Sequence, residues 1–243
     1  AIERCEARVS LYDGDRLSQL AREIHEFQRN DPSFDIYRWG TSMLFGSLLK
    51  MGGLPVRNYT TNLFPEWELF MGDRVRSIYE SRPKPCWACK MHHCHTMKVT
   101  EGPYAGYVGE EPDYEQWAGW GPVIGNTDPG AAVMLANEVD RLGLETNEAA
   151  WVVGWVMECY ERGIFTARDL DEIEMRWGNV EGTKTLLRRI ANRQGFGDLL
   201  AEGVKRAAEK IGGEALERAI FTQKGNSPRG HDHRALCSEL FDT

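Results

Sequence analysis

The run Asp128-Pro129-Gly130-Ala131-Ala132-Val133-Met134-Leu135-Ala136-Asn137-Glu138-Val139-Asp140-Arg141-Leu142-Gly143-Leu144-Glu145 sets the character of the chain. Asp128 suits an N-cap, Pro129 the first helical position and Gly143 the stop, so the spacing predicts a helix over 129–142. Ala132, Leu135, Val139 and Leu142 share one face of it. Thr146 reads as the cap of a second helix running to Arg162 and closed by Gly163. Helical spacing also marks 15–29 (through Leu17, Leu20, Ile24 and Phe27), 181–193 and 198–211, and two further helices are read over 41–51 and 66–81. Thr166 followed by Asp169 predicts a short helix, and 54–58 reads as extended because a residue before proline avoids helical backbone. Between 85 and 130 the helical period disappears, leaving short strands near 97–100 and 104–108 in a stretch rich in Gly, Pro, Tyr and Trp. The expectation is a mainly α domain wrapped around one long irregular loop, and loops of that length tend to be functional. Trp87, Trp117 and Trp120 fall in that loop and are expected to line a cleft.

A chain of 243 residues with 42% hydrophobic content can build a sizeable core. Its net charge of −8 argues against nucleic acid and anionic membrane as partners. There is no apolar run of the ~20 residues that a spanning helix needs. Both ends read as cuts in a longer protein.

Chemistry concentrates in Cys86-Trp87-Ala88-Cys89-Lys90-Met91-His92-His93-Cys94-His95. Of the six cysteines, three sit in this run while Cys5, Cys159 and Cys237 are scattered. That distribution favours a metal centre in a reducing cytoplasm over a disulfide framework. Two thiolates separated by two residues can ligate neighbouring corners of one centre, and a third closes another. On spacing alone, an iron–sulfur cluster and a structural zinc site, served by His92, His93 and His95, stand level.

The residues flanking this run resemble the tungsten-containing aldehyde:ferredoxin oxidoreductase family. Its cluster loop reads C-x2-C-P-x2-C. Glu111-Pro112-Asp113-Tyr114-Glu115 is similar to that family's E-x-P-E-Y-E, and Asp140-Arg141-Leu142-Gly143-Leu144-Glu145 to its D-x-x-G-L-D. Gly40-Thr41, Leu54-Pro55-Val56-Arg57-Asn58, Gly125-Asn126-Thr127-Asp128, the stretch from Met157 to Ile164 and that from Asn192 to Gly203 match in the same order. The resemblance implies a β-rich first domain and two helical domains enclosing tungsten held by two pterin dithiolenes, beside a [4Fe–4S] cluster. Residues 1–217 would be the second domain, with cluster and pterin contacts, and 218–243 the truncated start of the third.

Carried over residue by residue, the resemblance implies Cys86, Cys89 and Cys94 as cluster ligands, a fourth thiolate lying beyond Thr243. Asp140, with Gly143, Leu144 and Glu145, would contact a pterin. Glu115 would approach the metal, enclosed by Tyr114, Trp117 and Trp120 and therefore inclined to hold a proton. Two departures stand out. Lys90 replaces the family's proline, and the third cysteine comes one residue late, so that His93 occupies the usual ligand position.

The run of imidazoles looks more like the class II benzoyl-CoA reductase catalytic subunit, a distant branch that reduces an aromatic ring activated as a thioester. There His92, His93 and His95 would donate protons or bind an accessory zinc; packing around the cluster is the competing role. Cys159 is by default a core thiol, with ligation of tungsten a minority role. His231 and His233 read as structural or channel residues. The implied partners are ferredoxin or an iron–sulfur electron-transfer subunit, an aryl-CoA or aldehyde substrate, and copies of the full-length protein in an oligomer. A non-catalytic zinc- or cluster-binding module is the alternative from another class.

Overall fold

The computed structural model describes residues 12–31, 35–87, 89 and 91–236, so Cys5, Lys90 and Cys237 lie outside the described residues. In chain order the elements are α1 (Gly14–Asn30), α2 (Ile36–Trp39), α3 (Leu44–Lys50), α4 (Gly72–Ile78), β1 (Glu80–Pro83), β2 (His95–Lys98), β3 (Val108–Glu110), α5 (Tyr114–Trp120), α6 (Pro129–Leu142), α7 (Thr146–Glu161), α8 (Val180–Ala191), α9 (Phe196–Leu200), α10 (Val204–Ile211) and α11 (Gly213–Glu217).

The helix read from 129–142 forms as α6, with Asp128 Oδ1 accepting from Gly130 N at 2.8 Å. Every residue from Pro129 to Asn137 is buried, as is α7 from Ala149 to Cys159. Helices buried all round belong at the centre of a domain, and α5 packs against both. The fully buried indoles of Trp117, Trp120, Trp151 and Trp155 each find an acceptor, as a buried N–H usually does. Trp117 Nε1 donates to Ser42 Oγ at 3.1 Å, Trp120 Nε1 to Thr146 Oγ1 at 3.0 Å, and Trp151 Nε1 to the Pro228 carbonyl at 2.9 Å. Trp117 and Trp120 therefore belong to the core, and the expectation that they line a cleft is corrected. They sit on α5, a helix that the aromatic and glycine content of the segment concealed. Trp87 alone of the three is exposed, at 69%.

The predicted helix over 66–81 gives way to a 3-10 turn at Trp67–Phe70, then α4, then strand β1. Pro83 ends β1, which lies at one edge of an antiparallel sheet ordered β1-β2-β3, where a proline is tolerated. The two expected strands are displaced to 95–98 and 108–110. In the stretch 54–58, expected to be extended, Val56 forms an isolated antiparallel bridge with Thr61, and Arg57, Asn58 and Tyr59 turn away with φ of 43°, 50° and 64°. Such left-handed backbone is costly and persists only where its surroundings compel it. Here Arg57 N donates to the Pro122 carbonyl at 2.9 Å, and Asn58 Nδ2 to Glu158 Oε2 at 2.7 Å.

Thr166 donates from Oγ1 to Asp169 Oδ2 at 2.6 Å, yet 167–172 is a series of turns rather than a helix. The predicted 198–211 helix is split near Gly203 (φ 85°) into α9 and α10, and Glu148 Oε1 of α7 accepts from Val204 N at 2.6 Å, capping the second piece. Residues 218–236 carry no helix or strand and lie along the body: Tyr114 donates its hydroxyl to the Gly230 carbonyl at 2.7 Å, and Asp232 N bonds the Gly53 carbonyl at 2.7 Å. Among the described residues no helix is long and apolar enough to cross a membrane.

Asn137 fastens the sheet to the helical core. From α6 its Oδ1 accepts from Glu110 N at 2.8 Å, and its Nδ2 donates to the Glu110 carbonyl at 2.9 Å. Asn137→Ala leaves both backbone groups without this partner, which costs about 1–3 kcal/mol for each such group that stays buried. The expected outcome is a clearly lowered denaturation midpoint of the full-length protein; an unchanged midpoint would show that water replaces the amide.

Candidate metal and cofactor site

The cysteine run is the tip of a β-hairpin. Pro83 of β1 pairs with His95 of β2, and Lys84 N donates to the Cys94 carbonyl at 2.8 Å, closing the stem directly below the thiols. Cys86 and Cys94 are thereby brought to an Sγ–Sγ distance of 3.6 Å. Between them Cys89 N bonds the Cys86 carbonyl at 3.1 Å, a tight turn. The late third cysteine has a geometric explanation: Cys94 is placed by the strand register, and the added residue is taken up within the tip. Burial, then the Cys86 thiol, pushes the Cys94 thiol up to about 11; a metal reverses that by taking the thiolate. Among the described residues no three His, Cys, Asp or Glu side chains are gathered round a single point.

The imidazoles separate by environment. His92 is exposed, with φ of 56°. His93 Nε2 lies 3.6 Å from Cys94 Sγ, and its ring fills the space beside Gly40, where a Cβ would meet His93 Cδ2 at 2.6 Å. His95 Nδ1 is 2.7 Å from the His93 carbonyl and 3.3 Å from Glu111 Oε2. A cavity of ≈ 30 Å³ bounded by Gly40, Arg76, His93, Cys94, Glu111 and Asp113 has room for a water or two.

Beside the hairpin, α5 begins with a capping box: Asp113 Oδ1 accepts from Gln116 N at 3.2 Å, and Gln116 Oε1 from Asp113 N at 3.2 Å. Burial raises the Asp113 carboxyl, and Asp140 raises it further. Asp140 is exposed, and its two oxygens are each 3.4 Å from Gln116 Nε2, long for a hydrogen bond. It therefore retains acceptor capacity for ring N–H donors.

The rest of the motif does structural work. Gly143, left-handed at φ 68°, and Leu144 both direct their N–H groups back to α6, Leu144 reaching the Val139 carbonyl at 3.2 Å. The N-cap of α7 is Glu145, not Thr146; its carboxylate accepts from Asn147 N at 3.0 Å and Glu148 N at 2.6 Å. Three of the four residues read as pterin contacts thus build the corner that presents Asp140.

Glu115 lies in the first turn of α5 and is half-buried. The enclosure expected from Tyr114, Trp117 and Trp120 is corrected: all three rings are buried in the core, and Tyr114 and Trp117, one and two places from Glu115, do not share its helix face. Cys159 is fully buried in α7, and burial pushes its thiol up to about 12. That favours the neutral thiol, the state of a core cysteine. His233 is buried; its Nδ1 and the Tyr59 hydroxyl are 3.4 Å apart, and the same hydroxyl donates to the His231 carbonyl at 2.5 Å, as structural residues would. Residues missed from the sequence are Asp113 and Gln116, whose D-x-x-Q spacing before an apolar run signals a capping box, and the pair Arg76–Glu111, which no local pattern signals.

A mainly α frame thus carries a thiol-bearing hairpin and a D-x-x-G-L corner, the latter reached by Gln116 of α5. The family model for aldehyde ferredoxin oxidoreductase, domains 2 & 3, matches residues 19–239, and the chain belongs to that family. It is 30% identical over 238 residues to the tungsten-containing aldehyde ferredoxin oxidoreductase of Pyrococcus furiosus, covering 94% of this chain and 38% of the relative. It is 31% identical to the Thermococcus kodakarensis protein of the same name, with 94% and 38% covered. To the aliphatic sulfonate oxidoreductase, WOR-like subunit, of P. furiosus it is 32% identical, with 83% and 32% covered. The chain thus spans well under half the length of these relatives. The active-site complex BamBC of benzoyl coenzyme A reductase with 1,5-dienoyl-CoA shares the fold, with a TM-score of 0.70 at 19% identity over 89% of this chain and 33% of that one.

Proposed function

We propose that this chain is the cluster- and pterin-contacting part of a tungsten-pterin oxidoreductase catalytic subunit that reduces benzoyl-CoA, or a similar aryl-CoA, to a cyclic dienoyl-CoA. The observation that carries the proposal is the hairpin tip, where three thiols and three imidazoles share one loop. Cys86, Cys89 and Cys94 would hold a [4Fe–4S] cluster, with the fourth ligand supplied from outside this chain, and Asp140 would accept from pterin N–H groups. A tungsten-pterin centre, when bound, would supply low-potential electrons for the reduction.

Reduction of the ring to a diene consumes two electrons and two protons. The electrons would come from a ferredoxin or an iron–sulfur partner subunit, and the protons must come from acids at the pocket. An imidazole of the hairpin is suited to donate one from a ring nitrogen, and the half-buried Glu115 carboxyl is suited to hold the other. Oxidation of aldehydes with ferredoxin as acceptor is the second reading, favoured by the relatives at about 30% identity. That chemistry has no evident use for the extra imidazoles.

Elemental analysis of the full-length protein tests the cofactor assignment. Tungsten and iron together are the expected result; zinc alone would make the chain a non-catalytic binding module. In the same assay Asp140→Ala is expected to lower tungsten content while leaving iron in place. The substitution is at an exposed helix end, where stability changes are usually within about 0.5 kcal/mol, so a folded variant with full tungsten would remove Asp140 from the site.

A further inference from the structure

The guanidinium of Arg76, on α4, is 10% exposed and its partner carboxylate Glu111 5% exposed. The two meet as a fork, Nε to Oε1 at 2.8 Å and Nη2 to Oε2 at 2.7 Å. Removing such a pair from water costs several kcal/mol per ion, and replacing it by apolar groups is often neutral or better. Its presence here therefore calls for a purpose beyond stability.

The remaining donors supply one. Nη2 also donates to the His93 carbonyl at 3.0 Å, and Nη1 donates to the Arg38 carbonyl. The guanidinium lies over the ring of Trp39, 5.8 Å from its centroid. Glu111 Oε2 is in turn 3.3 Å from His95 Nδ1. One buried side chain thus ties α2, α4 and the segment after β3 to the residues on either side of Cys94. The strand register fixes Cys94 from below, and Arg76 fixes the preceding peptide from the side.

We propose that Arg76, oriented by Glu111, is a positioning residue that holds the His93–Cys94 peptide and so sets the direction of the Cys94 thiol toward the cluster. The inference rests on the reading of Cys86, Cys89 and Cys94 as cluster ligands. Lysine cannot replace it, because a single ammonium cannot grip both carboxylate oxygens and two carbonyls in one plane. Partners that orient metal ligands from behind typically carry a 10–100-fold share of metal affinity.

The test uses the full-length protein purified without oxygen, comparing wild type with Arg76→Lys, the double variant Arg76→Gln/Glu111→Gln and the exposed control Lys98→Gln. Iron release to a ferrous chelator, the spectrum of the reduced cluster and its midpoint potential are measured beside thermal stability. Arg76→Lys is expected to release iron about 10–100-fold faster and to alter the reduced spectrum, while Lys98→Gln behaves as wild type. The double variant leaves neither charge unpaired; should Arg76→Lys fail to fold, it decides, and it too is expected to release iron faster. A folded variant that is less stable but keeps wild-type iron release, spectrum and potential would overturn the inference and leave Arg76 a structural residue. Wild-type protein without an iron–sulfur cluster would instead overturn the reading of the cysteines, and this inference with it.

Discussion

Serine at Cys86, Cys89 or Cys94 is expected to abolish the [4Fe–4S] spectrum of the full-length protein. A serine alkoxide is a hard, strongly basic ligand, whereas iron–sulfur clusters are held by soft thiolates. Each substitution removes one of the thiolate corners that the proposed cluster needs. The three sites are not equivalent. Cys86 is exposed at the tip, whereas Cys94 is half-buried on the stem, where Lys84 N holds its carbonyl at 2.8 Å. Loss of Cys94 should therefore leave the hairpin folded and the cluster absent, a result visible as a normal circular dichroism spectrum without charge-transfer absorption. His93 supplies the competing outcome, since its Nε2 lies 3.6 Å from Cys94 Sγ. A Cys94→Ser protein with a normal cluster, beside a His93→Ala protein without one, would move the third ligand to the imidazole.

The helices at the centre were legible because capping and period agree there. Asp128, Pro129 and Gly143 all signal the same boundaries, and the chain between them has nowhere to go but the core. Where signals conflict the reading failed. Residues 66–81 carry apolar spacing that α4 uses only to Ile78, after which pairing with β2, invisible in the local pattern, takes Glu80–Pro83 into the sheet. That missed strand matters most, since it is one wall of the hairpin that brings Cys86 to Cys94. The cysteines were legible from their spacing, whereas the reason they meet was not. Likewise Asp140 and Glu145 look alike as motif carboxylates, and only the fold separates the exposed acceptor from the helix cap. Arg76 and Glu111 are 35 residues apart and carry no motif, so their pairing emerges only in three dimensions.

The largest effect on turnover is expected from the imidazoles of the loop. Ring reduction needs a proton delivered as charge builds on the ring, and a positioned general acid is typically worth about 10²–10⁴-fold. The three candidates are unequal in freedom. His93 packs between Gly40 and Cys94, and His95 is tied to Glu111 and to the His93 carbonyl. His92 is exposed, on left-handed backbone at the tip, so of the three it is the imidazole most free to meet the substrate of the proposed reaction. His92→Ala is expected to lower the rate of benzoyl-CoA reduction by about 10²–10⁴-fold while aryl-CoA binding changes little, the pattern of a group acting in the transition state. Measuring the reverse reaction, from dienoyl-CoA to benzoyl-CoA with an artificial acceptor, removes the need for the native electron donor. The variant should be slow in both directions, because the same proton must return to the same nitrogen. If His92→Ala is fully active and His95→Ala is slow, the acid is the imidazole backed by Glu111. If wild-type protein oxidises simple aldehydes and leaves both thioesters untouched, the histidines serve the cluster alone, and the reaction is that of an aldehyde oxidoreductase.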